Sequence, residues 1–267
     1  MSYQIIVCAG IVPDPLQTLE PVSGPAGPAL KNEAMLPHVL DPWAACGLYE
    51  AAHLASQFPG SKLWLLSLAP KAKLQQVIMS IAQKAAFELL PLDGPSSGFT
   101  DSAAVAGLLA DAIAALPGLD RKNLFVFGGW ESASRSSSTT LQIVGERLGI
   151  LDQFFGVDQL RVLENGPLEI LERVEGGRHQ ISVCDGPPVI LGWATGNLPE
   201  PPNNPQVGMA NMRVLMPALQ RAKPVQMAPT GLSYESAVVP KQQRATRIVK
   251  DMPVDEVARE LAAWIRG

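Results

Sequence analysis

Residues 124–149 read LFVFGGWESASRSSSTTLQIVGERLG, and their pattern decides the fold class. The apolar run 124–127 has the length of a buried strand, and Gly128-Gly129 ends it. Hydroxyl-rich residues follow from Ser132 to Thr140, after which Leu141, Val144 and Leu148 recur at helical spacing. Strand, glycines, small polar loop and helix N-terminus together make an anion site. The first helix amides are free donors, the dipole favours negative charge, and glycine lets a phosphate reach the backbone. The loop lacks the Gly-Lys-Ser/Thr of a Walker sequence and the spacing of GxGxxG. From this segment alone two readings stand: an anion site, or a serine-rich connection with no ligand.

Working outward, strands at 4–8 (QIIVC), 63–68 (LWLLSL) and 87–90 alternate with helices at 42–57, 74–84 and 102–116. Asp41 and Pro42 have the chemistry of an N-cap and a first helical residue, and Pro91 is expected to stop the third strand. Residues 13–31, rich in Pro and Gly, read as an irregular excursion or a hairpin. This alternation predicts an α/β domain with a mainly parallel, doubly wound sheet and helices on both faces. After Gly149 the pattern changes to candidate strands at 158–163, 168–174, 180–184 and 189–193. Asn165-Gly166 and Glu175-Gly176-Gly177 separate the first three, and such pairs suit hairpin turns that need positive φ. Antiparallel strands are therefore added to the parallel sheet.

Residues 196–208, GNLPEPPNNPQVG, hold four prolines, which blocks helix and central strand. A short helix at 212–222 follows, and 223–248 shows no period. Residues 252–266 form an amphipathic helix opened by Pro253, with Asp255 and Glu256 at its positive end and a stripe of Val257, Leu261 and Ile265. So long an irregular stretch suits contact with another chain better than the inside of a domain. The expected division is a nucleotide-binding-like domain at 1–195, a recognition loop and extended partner-contacting arm at 196–250, and a C-terminal helix at 251–267.

The chain has 267 residues, 47% of them hydrophobic, and a net charge of −4, enough to bury a sizeable core. The charge balance and the absence of a basic run argue against a nucleic-acid partner. No window approaches the roughly 18 uninterrupted apolar residues of a membrane span, so direct membrane insertion is not expected. The chain enters its first strand without the basic and apolar segments of a signal peptide. Cys8, Cys46 and Cys184 lie far apart and read as small apolar fillers in a reducing cytoplasm rather than as metal or redox groups. The histidines, His38, His53 and His179, show no metal-ligand spacing, and no local catalytic triad is visible.

Several segments, in order, carry a resemblance. They are IIVCAGIVPD (5–14), DPWAACGLYEAAHL (41–54), Leu68-Ala69-Pro70, FGGWESASRSSSTT (127–140), RVEGGRHQISVCDGPPVIL (173–191), LQRAKPVQ (219–226) and the C-terminal QQRATRIVKDMPVDEVARELAAWI. Together they resemble the β (small) subunit of electron transfer flavoproteins over nearly the whole chain. The resemblance implies an adenine-nucleotide α-hydrolase-like fold and a non-catalytic subunit of a heterodimer. The α subunit holds most of an FAD, and the complex carries electrons from flavin dehydrogenases to a downstream acceptor. It implies a structural AMP in this chain, or a second FAD in bifurcating members, and a loop at 196–216 that docks the dehydrogenase.

Carried over residue by residue, the nucleotide positions are Cys8, Asp41, Pro42, Trp43, Ala44, Leu68, Gly128 and Gly129, followed by Arg135, Ser136, Ser137, Ser138, Thr139 and Thr140. Asp41 suits a ribose hydroxyl, and helix capping explains it equally well. The chain departs from the family pattern at Trp130, Ala133, Ser134 and Arg135, where the family has Gln and a run of Asp. Arg135 reads either as a charged phosphate clamp or as a solvated surface charge. Trp43 reads as an aromatic near the partner's flavin or as an interface residue without a redox role. Met209, Met212, Leu215 and Met216 read as an adaptable docking cluster or as core. Two further functions share the superfold. One is a nucleotide-binding regulatory module without flavin. The other is an ATP-using enzyme, against which Ala9-Gly10-Ile11-Val12 lacks the donors of a pyrophosphate loop.

Overall fold

The computed structural model describes residues 1–25, 27–95, 97–136, 139–228, 234–241 and 246–266. The chain divides into two units, Met1–Ala237 and Val238–Gly267.

In the first unit β1 (Gln4–Cys8) lies between β6 (Lys62–Ala69) and β8 (Leu124–Gly129), parallel to both, with Cys8 in register with Leu66 and Gly128. Completing the eight-stranded sheet are β7 (Glu88–Asp93), β9 (Gln153–Val162), β10 (Leu168–Val174), β11 (Arg178–Cys184) and β12 (Val189–Trp193). Their order is β11-β10-β9-β12-β8-β1-β6-β7. Only the β9–β10 and β10–β11 pairs are antiparallel. The fold is therefore α/β with a mostly parallel sheet and added antiparallel strands. Between β1 and α1 (Pro42–Gln57) run the short β2 (Ile11–Pro13) and β5 (His38–Leu40), paired antiparallel. A hairpin of β3 (Pro21–Gly24) and β4 (Gly27–Leu30) sits within that excursion.

Strand alternation sorts the core into two layers. Ile5, Val7, Leu65, Phe125 and Phe127 face α1 and α2 (Lys71–Ile81). Ile6, Leu66, Val126 and Ile190 face α3 (Ser102–Ala114) and α4 (Thr139–Leu148). The chain leaves β1 toward one face and β8 toward the other, so a crevice opens between their C-terminal ends. In open α/β sheets this is where ligands bind.

Local signals hold where the chemistry is short-range. Asp41 caps α1 through Oδ1, which accepts from the Trp43 amide, and Asn165 and Gly166 have φ of 70° and 108° in the β9–β10 turn. Three spans differ from expectation. Pro91 does not stop β7, because β7 is the sheet edge and its missing N–H disturbs no ladder. β9 starts at Gln153, five residues before the expected start. Positive φ at Gly156 and a bulge opposite Leu171–Glu172 break the period there. The helix expected at 212–222 begins earlier, at the last proline of the proline-rich segment, while 196–204 stay irregular: α5 (Pro205–Gln220) has Pro205 at its first position and Asn204 Oδ1 accepting from the Gln206 and Val207 amides. Leu215 and Leu219 of α5 are buried in the core. Val225 and Met227 pack against the other layer. α5 and residues 225–227 therefore pack within the first unit.

The second unit contains α6 (Val254–Arg266), whose Glu260 accepts from Arg247. None of its residues is buried.

Candidate functional site

The crevice holds a cavity of about 90 Å³ that opens to solvent. Cys8, Ala9 and Gly10 line it from the end of β1, Leu68 from β6, and Gly128 and Gly129 from β8. Asp41 and Ala44 come from the start of α1, Val105 and Leu109 from α3, and Thr140 and Leu141 from α4. Glu131, Ser132 and Arg135 come from the loop after β8. The lining thus combines an apolar set, suited to the faces of a flat ring, with a polar set of one cation, two carboxylates and two hydroxyls.

Asp41 joins the two sides. Its side chain is 4% exposed, and while Oδ1 caps α1, Oδ2 accepts from the Ala133 amide at 3.0 Å. Burial raises its carboxyl above the ordinary value, while the Ser132 hydroxyl, the two amides and the Arg135 charge act in the opposite direction. A buried carboxylate needs such donors. Two glycines make the approach possible. A Cβ on Gly129 would stand 2.7 Å from the Trp43 Cβ and 2.8 Å from the Glu131 carbonyl oxygen, and one on Gly128 would stand 3.1 Å from the Cys8 carbonyl oxygen.

Arg135 is no solvated surface charge. Its Nη1 donates to the Thr100 carbonyl at 2.8 Å, and burial pulls its guanidinium below the ordinary value, with Tyr234, Asp41 and Asp101 opposing the shift. Asp101 caps α3 through the Ala103 amide, and Tyr234 stacks edge-on against Phe99. The Cys8 thiol is pushed up to about 12 by burial, so it is neutral and acts as an apolar wall.

Of the expected site residues, Cys8, Asp41, Ala44, Leu68, Gly128, Gly129, Arg135 and Thr140 meet in this one cavity. Pro42 is exposed at the first position of α1, and Trp43 lies behind Gly129 rather than in the lining. Ser136, with φ of 57°, and Thr139 are exposed, and Ser137 and Ser138 lie outside the described residues. Sequence reasoning missed Ala9, Gly10, Val105, Leu109 and Leu141 as cavity residues. Val105 and Leu109 carry a signal, since they lie one helical turn apart on α3.

The Met209 region forms part of a separate open groove with Met79, Gln83, Pro205, Gly208, Met212 and Arg213. Its two readings divide by residue: Met209 is exposed, whereas Leu215 is in the core.

Among the described residues no group of three or more His, Cys, Asp or Glu side chains is placed to hold a metal ion. No described helix is long and apolar enough to cross a membrane. Comparison with models of known protein families gives no match, and comparison with curated proteins gives none either.

Proposed function

We propose that this chain is the β-type subunit of a heterodimeric electron carrier of the electron transfer flavoprotein kind, working in the cytoplasm. An α-type partner holds most of the FAD, and this chain carries AMP as a structural ligand in the crevice between β1 and β8. The observation that carries the reading is convergence. Positions singled out from resembling segments far apart in the chain, from Cys8 to Thr140, line one cavity at the switch point of the sheet. The residues present fit a nucleotide. Apolar side chains suit the base, Asp41 and neighbouring peptide groups suit the ribose, and Arg135, Thr140 and the start of α4 suit a phosphate. The role is electron transfer within a complex and not catalysis by this chain alone. Docking of a flavin dehydrogenase is assigned to residues 196–216, where Met209 is exposed on α5.

Native mass spectrometry of the complex isolated from its own cells tests the reading. One copy of each chain with one FAD and one AMP is expected, and a lone or homodimeric chain without flavin overturns the carrier function. That second outcome favours a nucleotide-binding regulatory module without flavin.

A further inference from the structure

A cavity of about 90 Å³ falls well short of the roughly 300 Å³ at which pockets that bury a small molecule begin. Burying a nucleotide here therefore requires a wall that moves. Most of the walls are fixed: Cys8, Leu68, Val105, Leu109 and Leu141 belong to the core, and a close-packed interior yields little. The exception is the turn at 132–136. Its Ser136 amide donates to the Ser132 carbonyl at 2.8 Å, so the turn holds its shape as one piece. Ser136 has φ of 57°, in the left-handed region that a residue with a side chain adopts only under constraint, which places a strained hinge at the end of the turn.

Hydrogen bonds tie this turn to opposite walls of the crevice. On the α1 side the Ala133 amide donates to Asp41 Oδ2 at 3.0 Å, and on the α3 side Arg135 Nη1 donates to the Thr100 carbonyl at 2.8 Å. There it meets a second turn, at 97–100, which is closed by the Thr100 amide on the Ser97 carbonyl and the Ser97 amide on Thr100 Oγ1. The two turns touch, since a Cβ on Gly98 would stand 3.3 Å from the Ser134 Cβ.

The 132–136 turn is also a partition. Ser132 and Arg135 line the crevice, whereas Ala133 and Ser134 line a second cavity of about 110 Å³ together with Pro13, Leu19, Leu30 and Phe99. A wall with space on both sides shifts without displacing packed core. Resting on the reading of this crevice as a nucleotide site, we propose that the turn at 132–136 is its gate. The gate is shut in this structure, latched to Asp41 and to the Thr100 carbonyl, and a nucleotide enters when the latch opens and the turn moves toward the second cavity.

A disulfide across the two turns tests this. The 3.3 Å between Cβ positions is close to the separation of about 3.5–4.5 Å in natural disulfides. Gly98→Cys combined with Ser134→Cys in the full-length chain is therefore expected to cross-link on mild oxidation and to hold the gate shut. In titration calorimetry AMP is expected to bind the reduced variant as it binds the unmodified chain, and the oxidised variant at least about 10-fold more weakly. Hydrogen exchange of the unliganded chain reads the gate without a nucleotide. The Ala133 and Ser136 amides are expected to exchange by local opening, well ahead of those of β8, and to slow when the disulfide forms. The proposal is overturned if the two cysteines do not cross-link in the folded chain, if the oxidised variant binds AMP as tightly as the reduced one, or if these amides exchange no sooner than those of β8. Absence of AMP binding by the unmodified chain instead overturns the nucleotide reading; in that case, or if the variant does not fold, exchange in the unmodified chain decides the gate.

Discussion

Gly129→Ala and Gly10→Ala place the same methyl group in the same cavity wall, with opposite expected costs. At Gly129 the new carbon would stand 2.7 Å from the Trp43 Cβ and 2.8 Å from the Glu131 carbonyl oxygen. Carbon contacts normally settle at about 3.5–4.0 Å, so a shift of about 1 Å is required. Neither neighbour is the free end of a flexible chain. Trp43 belongs to the first turn of α1, which Asp41 caps, and the other atom is backbone. Relief therefore means separating α1 from the end of β8. Overpacking of this kind costs about 1–3 kcal/mol, which for a unit of this size lowers Tm by about 2–12 °C. At Gly10 a Cβ meets nothing within 4 Å, and the substitution should stay within about 0.5 kcal/mol of the parent. Thermal unfolding of both variants by circular dichroism is the assay. Equal Tm values for the two variants would refute the close approach of α1 to β8 that shapes the crevice.

The raised Asp41 carboxyl has a pH signature with a definite sign. As pH rises above the ordinary value of 3.8, the unfolded chain loses this proton first, so Asp41 contributes stability at low pH that is lost as pH climbs through its folded value. Asp41→Asn does not titrate, so the parent's stability relative to the variant should fall across that window; a relative rise in acid titrations of Tm would sink the assignment. Leu215→Ala, in the core, should cost about 2–5 kcal/mol, and the exposed Met209→Ala under about 0.5 kcal/mol. Equal costs in denaturant unfolding would mean that α5 is not docked as described. Because burial holds the Cys8 thiol near 12, it should react far more slowly with a disulfide reagent at pH 8 than the partly exposed Cys46 and Cys184. All three should react alike in denaturant.

What was legible in the chain was what short-range chemistry dictates. Asp41-Pro42 announces a capped helix, Asn165-Gly166 announces a turn with positive φ, and LFVFGG announces a strand ending where backbone must come close. Convergence of Cys8, Asp41, Leu68 and Gly128 came from matching whole segments, since residues on separate strands share no local pattern. Long-range partners could not be read. Nothing near Asp41 in sequence shows that its second oxygen takes the Ala133 amide, 92 residues away. The burial of Arg135 depends on Thr100 and Tyr234, which other parts of the chain deliver. Prolines misled for a related reason. Pro91 and Pro205 look like breakers until the edge position of β7 and the first position of α5 show that neither needs its missing N–H.

The C-terminal helix gives the proposed heterodimer a footing apart from the crevice. α6 has 13 residues, a length at which an isolated helix is marginal in water, so its stability has to come from packing of its apolar side. Val254, Val257, Leu261, Trp264 and Ile265 are all exposed, Trp264 at 82% and Ile265 at 78%. The opposite chemistry, from Asp255, Glu256, Arg259 and Glu260, is that of a solvated face. Burying such side chains is worth about 1.5–3 kcal/mol each, enough to turn a marginal helix into a stable one. A surface that covers this stripe would supply that packing, and in the proposed complex the α-type partner is assigned that role. The nucleotide reading stands on residues of the first unit and the partner reading on residues of the second. Each can fail without the other, and only their joint success makes the chain an electron-carrier subunit rather than a nucleotide-binding module.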